Sequence, residues 1–358
     1  MRAAIFYGGR DIRVEEVPDP SPGPGEVLVD IGAAGICGSD LHPYRGANPW
    51  GQRSEGGAAG ARRAGHELAG VVAALGAGVI GLRVGQRVGV EPMHLVGCGR
   101  CRQCQRGDYH VCPQRGMRDG QRHGSAGFSE LDLAVADNVY PLPDHVSLEV
   151  ASMLDVYACG VHAINRIPLR AIDNVCVLGT GPIGMTMGQV ARAAGARRVI
   201  MVGRRDALLQ RALDVGAADA VVNNASVASV GEAIAELTDG DLCDAVFESV
   251  GGTADTLGQA VEAAAYGGAI GIIGAFWGDV SVAYRAANRK EIDLRWCNSY
   301  STWNGVREYQ VALDMVAAGR VKAEPLVTHR FPLQEIATAF RAADDKKASG
   351  AVKVVVQP

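Results

Sequence analysis

The stretch VCVLGTGPIGMTMGQVARAAGARRVIMVGRRD, residues 175–206, decides how this chain folds. Val175, Val177 and Leu178 form an apolar strand that runs into Gly179-Thr180-Gly181-Pro182-Ile183-Gly184, a G-x-G-x-x-G placed where a buried strand turns into a helix. Gly179 permits the tight turn, Gly181 lets backbone approach a pyrophosphate, and Gly184 allows the helix to pack closely on the strand. The amides and dipole at the helix start favour an anion. A glycine turn alone is weak evidence, but the strand-turn-helix-strand context makes this a dinucleotide-binding unit.

The far end of the unit bears on which dinucleotide. NAD-binding units carry an acidic residue at the end of the second strand, for the ribose hydroxyls. Here Val199-Ile200-Met201-Val202 is followed by Gly203-Arg204-Arg205, and Asp206 comes late. Glycine leaves room, and two guanidinium groups suit a 2′-phosphate. The expectation is NADP in preference to NAD, against the plainer reading of two solvated surface arginines.

From about Val150 the pattern alternates helix and strand. Six apolar strands are expected at 175–178, 198–202, 220–222, 244–248, 269–273 and 292–296, separated by helices such as 208–215, 230–237 and 253–265. That is a complete doubly wound parallel sheet in an α/β chain. Residues 1–150 read instead as short strands punctuated by turn residues, as in Pro18-Asp19-Pro20-Ser21-Pro22-Gly23-Pro24-Gly25. A final helix-and-strand tail is expected to return to this first region. The division is therefore 1–155 with 299–358, and 156–298 between them.

A chain of 358 residues is long enough for two cores. With 48% hydrophobic and 21% charged residues and a net charge of −4, it has no basic excess that would point to nucleic acid or an anionic membrane. No apolar run is long enough for a bilayer, and the first residues read as a strand, so the cytoplasm is the expected compartment. Nine cysteines is an odd number, and four crowd into Cys98, Cys101, Cys104 and Cys112. Four thiolates at such spacing close a tetrahedron around a structural zinc. An iron-sulfur cluster of the bacterial ferredoxin type has a shorter last interval, and disulfides fit a reducing compartment poorly.

A second set of ligand types lies upstream, in Gly35-Ile36-Cys37-Gly38-Ser39-Asp40-Leu41-His42 and Gly65-His66-Glu67-Leu68-Ala69-Gly70. Singly, each residue has an ordinary structural explanation. Together they offer a thiolate, an imidazole and carboxylates, and a catalytic zinc needs three protein ligands and an open position.

These blocks, in this order and at about these distances, resemble the zinc-dependent medium-chain alcohol dehydrogenase family, nearest its polyol and threonine dehydrogenase branch. The resemblance runs nearly end to end and implies a GroES-like β domain plus a Rossmann domain. It implies Cys37 and His66 as catalytic zinc ligands, Glu67 as a neighbouring carboxylate that ligates or exchanges with water, and Asp40 as the group that orients His66. The remaining ligand falls in Met153 to His162, where Asp155 stands in place of the branch's glutamate and Val156 in place of the following proline, with Cys159 as the alternative. Two zincs per chain are thus expected.

The resemblance also implies chemistry. Zinc acidifies an alcohol, hydride passes to the nicotinamide, and the proton leaves through Ser39 and His42; a hydroxyl at Ser39 can instead cap the following turn. Ile273, Gly274 and Ala275 resemble the strand end that holds the nicotinamide amide. The long interval between Cys37 and His66 carries Tyr44, Arg45, Trp50, Arg53, Arg62 and Arg63 and is expected to form an exposed lid beside the substrate. The expected activity is oxidation of a secondary alcohol or polyol to a ketone, in a homodimer or homotetramer. Its rivals are a reductase of activated double bonds and a zinc-bearing sensor without turnover.

Overall fold

A computed structural model describes residues 1–46, 62–118, 121–122 and 124–358. The chain divides into two compact units: Met1–Asp155 with Ser301–Ala317 and Ala323–Pro358, and Val156–Tyr300 with Ala318–Lys322.

The second unit is built on one six-stranded sheet. Its strands run in the order Ala220–Asn223, Arg198–Gly203, Asn174–Leu178, Cys243–Glu248, Ala264–Ile272, Asp293–Trp296, and every neighbouring pair is parallel. This is the doubly wound order, in which the first strand in sequence lies next to the point where the order reverses. Val175 to Leu178 are all buried, as strands of a parallel sheet are. The helix Pro182–Ala193 starts directly after the glycine turn, with Pro182 in the first turn, where its missing N–H costs nothing. The fifth strand begins earlier than its apolar pattern predicts, because the chain passes straight from helix Thr256–Ala263 into it. The last strand, Asp293–Trp296, is an edge and is exposed throughout.

The first unit is mainly antiparallel. Its larger sheet orders Val139–Pro141, Arg87–Val90, Glu67–Leu75, Glu26–Gly35, Lys353–Gln357 and Val327–Pro332, with Leu131–Val135 also pairing with Glu26–Gly35. The C-terminal strand sits beside Glu26–Gly35, with Val355 opposite Gly35. Alternating residues of these strands, Val27, Val29 and Ile31 among them, fill one core with Leu68, Val88 and Val354. Phe340 anchors it, with ring centroids of Phe6, Tyr44 and Phe128 at 5.1, 5.2 and 5.5 Å.

One helix, Gly38–Tyr44, was not expected among the N-terminal strands. It is short and holds Pro43, so no 3.6-residue period marks it. It also corrects the lid expectation at two positions. Tyr44 is in the core, and Arg45 bonds Asp344. Arg62 and Arg63 form a two-residue strand paired with Phe6 and Ile5. Trp50 and Arg53 lie outside the described residues.

Candidate functional site

Strand register brings Cys37 and His66 together. Gly35 lies opposite Glu67 in the antiparallel pair of Glu26–Gly35 and Glu67–Leu75, so the residues just beyond one strand meet the residue just before the other. Ligand atoms of Cys37, His66 and Glu67 all lie within 4.8 Å of one another. A thiolate, an imidazole and a carboxylate so placed suit a zinc ion with one position left open.

Neighbouring groups orient these side chains. Cys37 precedes helix Gly38–Tyr44, and its amide donates to Oδ2 of Asp40 at 2.9 Å. Oδ1 of Asp40 faces Nδ1 of His66 at 3.5 Å, which fixes the ring and leaves Nε2 for a ligand. Burial pushes the Asp40 carboxyl up, but the facing His66, with the Cys37 amide and Lys353, together hold the group below its ordinary value. Oγ of Ser39 lies 3.4 Å from Nε2 of His66. One turn further on, burial and then Arg45 pull the His42 imidazole below its ordinary value.

Two other residues of the first unit belong to this centre and carry no spacing signal of their own. The Lys353 ammonium, fully buried, pairs with Oε2 of Glu67 and donates to the Ile36 carbonyl at 3.1 Å. A lone lysine inside the apolar run Ala351 to Val356 was the available hint. His94 sets its ring edge-on to His66 at 5.5 Å, and burial, then His66, push it down to about 3. Asp155, at the start of helix Leu154–Arg166, is buried, and after burial its charge is the next cause that raises the Tyr309 phenol well above its ordinary value. It is not a member of the mutually close set of Cys37, His66 and Glu67.

Cys98, Cys101, Cys104 and Cys112 also converge within 4.8 Å of one another. Sγ of Cys101 is 3.5 Å from that of Cys104 and 3.7 Å from that of Cys112. Sulfurs bound about 2.3 Å from one zinc stand roughly 3.8 Å apart, so the cluster fits a closed tetrahedral site. Amides of Arg100 and Cys101 draw the Cys98 thiol down to about 6, while burial raises Cys104 to about 12. Four thiolates this close need a cation among them. The loop is tied to its unit through Tyr109, whose hydroxyl donates to buried Glu91 at 2.5 Å; Tyr140 and Arg307 donate to the same carboxylate at 2.8 and 3.0 Å.

In the second unit the glycine turn has the geometry its motif requires. Gly179 has φ +114°, which L residues rarely adopt, and a β-carbon there would lie 2.6 Å from Oγ of Ser249. A β-carbon on Gly184 would strike the Gly179 carbonyl, whereas Gly181 meets nothing within 4 Å. Gly181 caps the helix with no side-chain hydrogen bond, so the first amides are left for a ligand. Amides of Ile273 and Gly274 donate to the Glu248 carbonyl at 2.9 and 3.0 Å, and the Ala275 carbonyl accepts from Gly252 at 2.7 Å. Gly203 is buried at its strand end, Arg204 is exposed and Arg205 half-buried.

Residues 23–144 match the alcohol dehydrogenase GroES-like domain, and residues 182–318 match the zinc-binding dehydrogenase domain. The chain is 31% identical to a sorbitol dehydrogenase of Halalkalibacterium halodurans over 98% of its own length and 97% of the relative's. Among solved structures it is similar to an alcohol dehydrogenase of Escherichia coli CFT073 complexed with NADH (TM-score 0.84, 28% identity, 100% and 99% of the two chains). A zinc-binding dehydrogenase of Sinorhizobium meliloti bound to NADP is equally similar (TM-score 0.84, 29% identity, 100% and 99%). With two cysteine-bearing clusters that could each hold a metal ion in one unit, a dinucleotide-type glycine turn in the other, and both family domains matched, the chain belongs to the zinc-dependent medium-chain alcohol dehydrogenases.

Proposed function

We propose that this enzyme oxidises a polyol or other vicinal secondary alcohol to the ketone, with NADP as the preferred hydride acceptor. The observation that carries the metal-dependent part is the convergence of Cys37, His66 and Glu67. Zinc held there supplies Lewis acidity to an alcohol oxygen. Around it the chain's own residues have distinct tasks. Asp40 holds the His66 ring, Ser39 Oγ bonds the alcohol oxygen, and His42 takes the proton on toward solvent. Asp155 and Glu67 are the two carboxylates available to complete the ligand set. That convergence is what a zinc-free enone reductase has no use for, and a dinucleotide turn in the same chain favours turnover over a silent sensor.

The nicotinamide end is assigned to Ile273, Gly274 and Ala275, and the pyrophosphate to the turn Gly179-Thr180-Gly181-Pro182-Ile183-Gly184. For the adenosine end, Gly203, Arg204 and Arg205 support a 2′-phosphate, and the next acidic group, Asp206, is engaged by the Asn223 amide at 2.6 Å. Similar structures hold NADH in one case and NADP in the other, so the preference rests on these residues. Sorbitol dehydrogenase and (R,R)-butanediol dehydrogenase among the relatives point to vicinal diols and polyols as the substrate class. Steady-state kcat/KM for a panel of polyols, secondary alcohols and hydroxy amino acids with both nucleotides tests the proposal. Higher kcat/KM on polyols with NADP supports it; a strong NAD preference overturns the cofactor part, and no turnover of any alcohol overturns the whole.

Two zincs per chain, one in each centre, complete the reading, and metal analysis of the purified protein should find about two. Assembly as a homodimer or homotetramer is proposed through the exposed edge Asp293–Trp296, where Leu294 and Trp296 face solvent beside Tyr266 and Tyr284. Antiparallel pairing centred on Leu294 sets Asp293 opposite Arg295 of the partner subunit. Among the described residues no helix is long and apolar enough to cross a membrane. A cytoplasmic setting agrees with thiols kept reduced for zinc.

A further inference from the structure

Position 203 is where a nucleotide-binding unit of this kind places the acidic side chain that selects NAD. In this chain that position is empty of any side chain, and the reason lies in the glycine turn. A β-carbon built on Gly203 would stand 2.5 Å from Cγ2 of Thr180, 3.3 Å from its Oγ1 and 3.3 Å from Cδ2 of Leu209. Contact at 2.5 Å between carbons is far inside their van der Waals separation. Thr180 is 8% exposed and is held against the strand end, because the adjacent Gly179 amide donates to the Val202 carbonyl at 2.8 Å. Its β-branched side chain turns stiffly about χ1, and only the orientation that points the β-hydrogen at residue 203 would relieve the contact. Cδ2 of Leu209, at 3.3 Å, crowds the same β-carbon.

We infer that Thr180 is a specificity-determining residue for the nucleotide: its methyl group bars every side chain, a ribose-binding carboxylate included, from position 203 and so keeps the space before Arg204 and Arg205 open to an anion. The inference rests on the NADP reading for its ligand, but the steric coupling of Thr180 with Gly203 stands independently of which nucleotide binds. It makes cofactor class a property of two positions, one in the G-x-G turn and one at the end of the next strand. Installing the acidic residue alone is therefore not enough to convert the site.

The full-length enzyme and the variants Gly203→Asp, Thr180→Ala, Thr180→Ala/Gly203→Asp and Thr180→Ser/Gly203→Asp are compared by titrating NAD and NADP and by thermal unfolding without nucleotide. Gly203→Asp alone is expected to unfold a few degrees lower and to lose about tenfold or more in affinity for both nucleotides, the scale of an overpacked buried site. Adding Thr180→Ala, and equally Thr180→Ser, which also removes Cγ2, should restore the unfolding temperature and give affinity for NAD above that of the parent. The coupling is overturned if Gly203→Asp alone binds NAD well with an unchanged unfolding temperature, or if the two substitutions simply add. A parent enzyme that prefers NAD would instead overturn the NADP reading while leaving the unfolding cycle to decide the role of Thr180.

Discussion

Lys353 and Glu67, 286 residues apart, form an ion pair in which both side chains are buried. Gly35 makes this possible, since a β-carbon there would strike Oε2 of Glu67 and sit 2.7 Å from Cε of Lys353. The pair ties the C-terminal strand to the start of strand Glu67–Leu75, next to His66 and across from the end of strand Glu26–Gly35 that leads to Cys37. Truncating one partner leaves the other as an uncompensated buried charge, which costs about 3–5 kcal/mol. Lys353→Met should therefore lower stability sharply in denaturant unfolding, and Lys353→Met/Glu67→Gln should recover much of the loss. If the two single variants cost little and add, the pair is not coupled.

The four-cysteine loop should lose its metal independently of the Cys37 centre. Cys98→Ser is expected to reduce zinc from about two per chain to about one and to expose the loop to limited proteolysis. Retention of two zincs would remove Cys98 from the ligand set.

His42 should shape the acid side of the pH profile. Burial, with Arg45 next, draws its imidazole below the ordinary value, so it is neutral and able to accept a proton through neutral pH. Turnover should fall as pH drops through that lowered value. His42→Ala is expected to lower kcat by about a hundredfold or more and to abolish that limb, with partial rescue by imidazole in solution. An unaltered profile would exclude the relay.

Asp132 gives the first unit a pH-dependent stability. Burial raises its carboxyl from 3.8 to about 6, only partly offset by the Ala126 amide that it accepts at 2.7 Å. The folded chain holds that proton more tightly than the unfolded chain, so stability falls as pH rises through the window from about 4 to about 6 and the cost persists above it. The ceiling of this contribution is on the order of 3 kcal/mol. Asp132→Asn should flatten the unfolding free energy across that window; an unchanged slope would assign it to other groups.

Much of this molecule was legible in its sequence. The dinucleotide turn, its strand and its helix are consecutive in the chain, so apolar period and glycine spacing were enough to read them. The four-cysteine cluster is likewise confined to fifteen residues, and its geometry follows from local spacing. Strand ends were less legible: the fifth strand of the parallel sheet starts at Ala264 because tertiary pairing with Cys243–Glu248 extends it beyond its apolar run.

The tertiary structure decided what lies far apart in the chain. Cys37 and His66 meet only because Gly35 is set opposite Glu67, a register that neither motif states. Tyr44 and Arg45, read from sequence as part of a lid, are claimed instead by Phe340 and Asp344 of the C-terminal segment. Lys353 reaches Glu67 because the last strand pairs beside Glu26–Gly35. Thr180 and Gly203 were both in view from the outset, yet their interdependence is a matter of 2.5 Å between a methyl group and an absent β-carbon. Periodicity and spacing encode which residues share a face or a loop; contact between distant segments depends on register and close packing, which form only when the sheet closes.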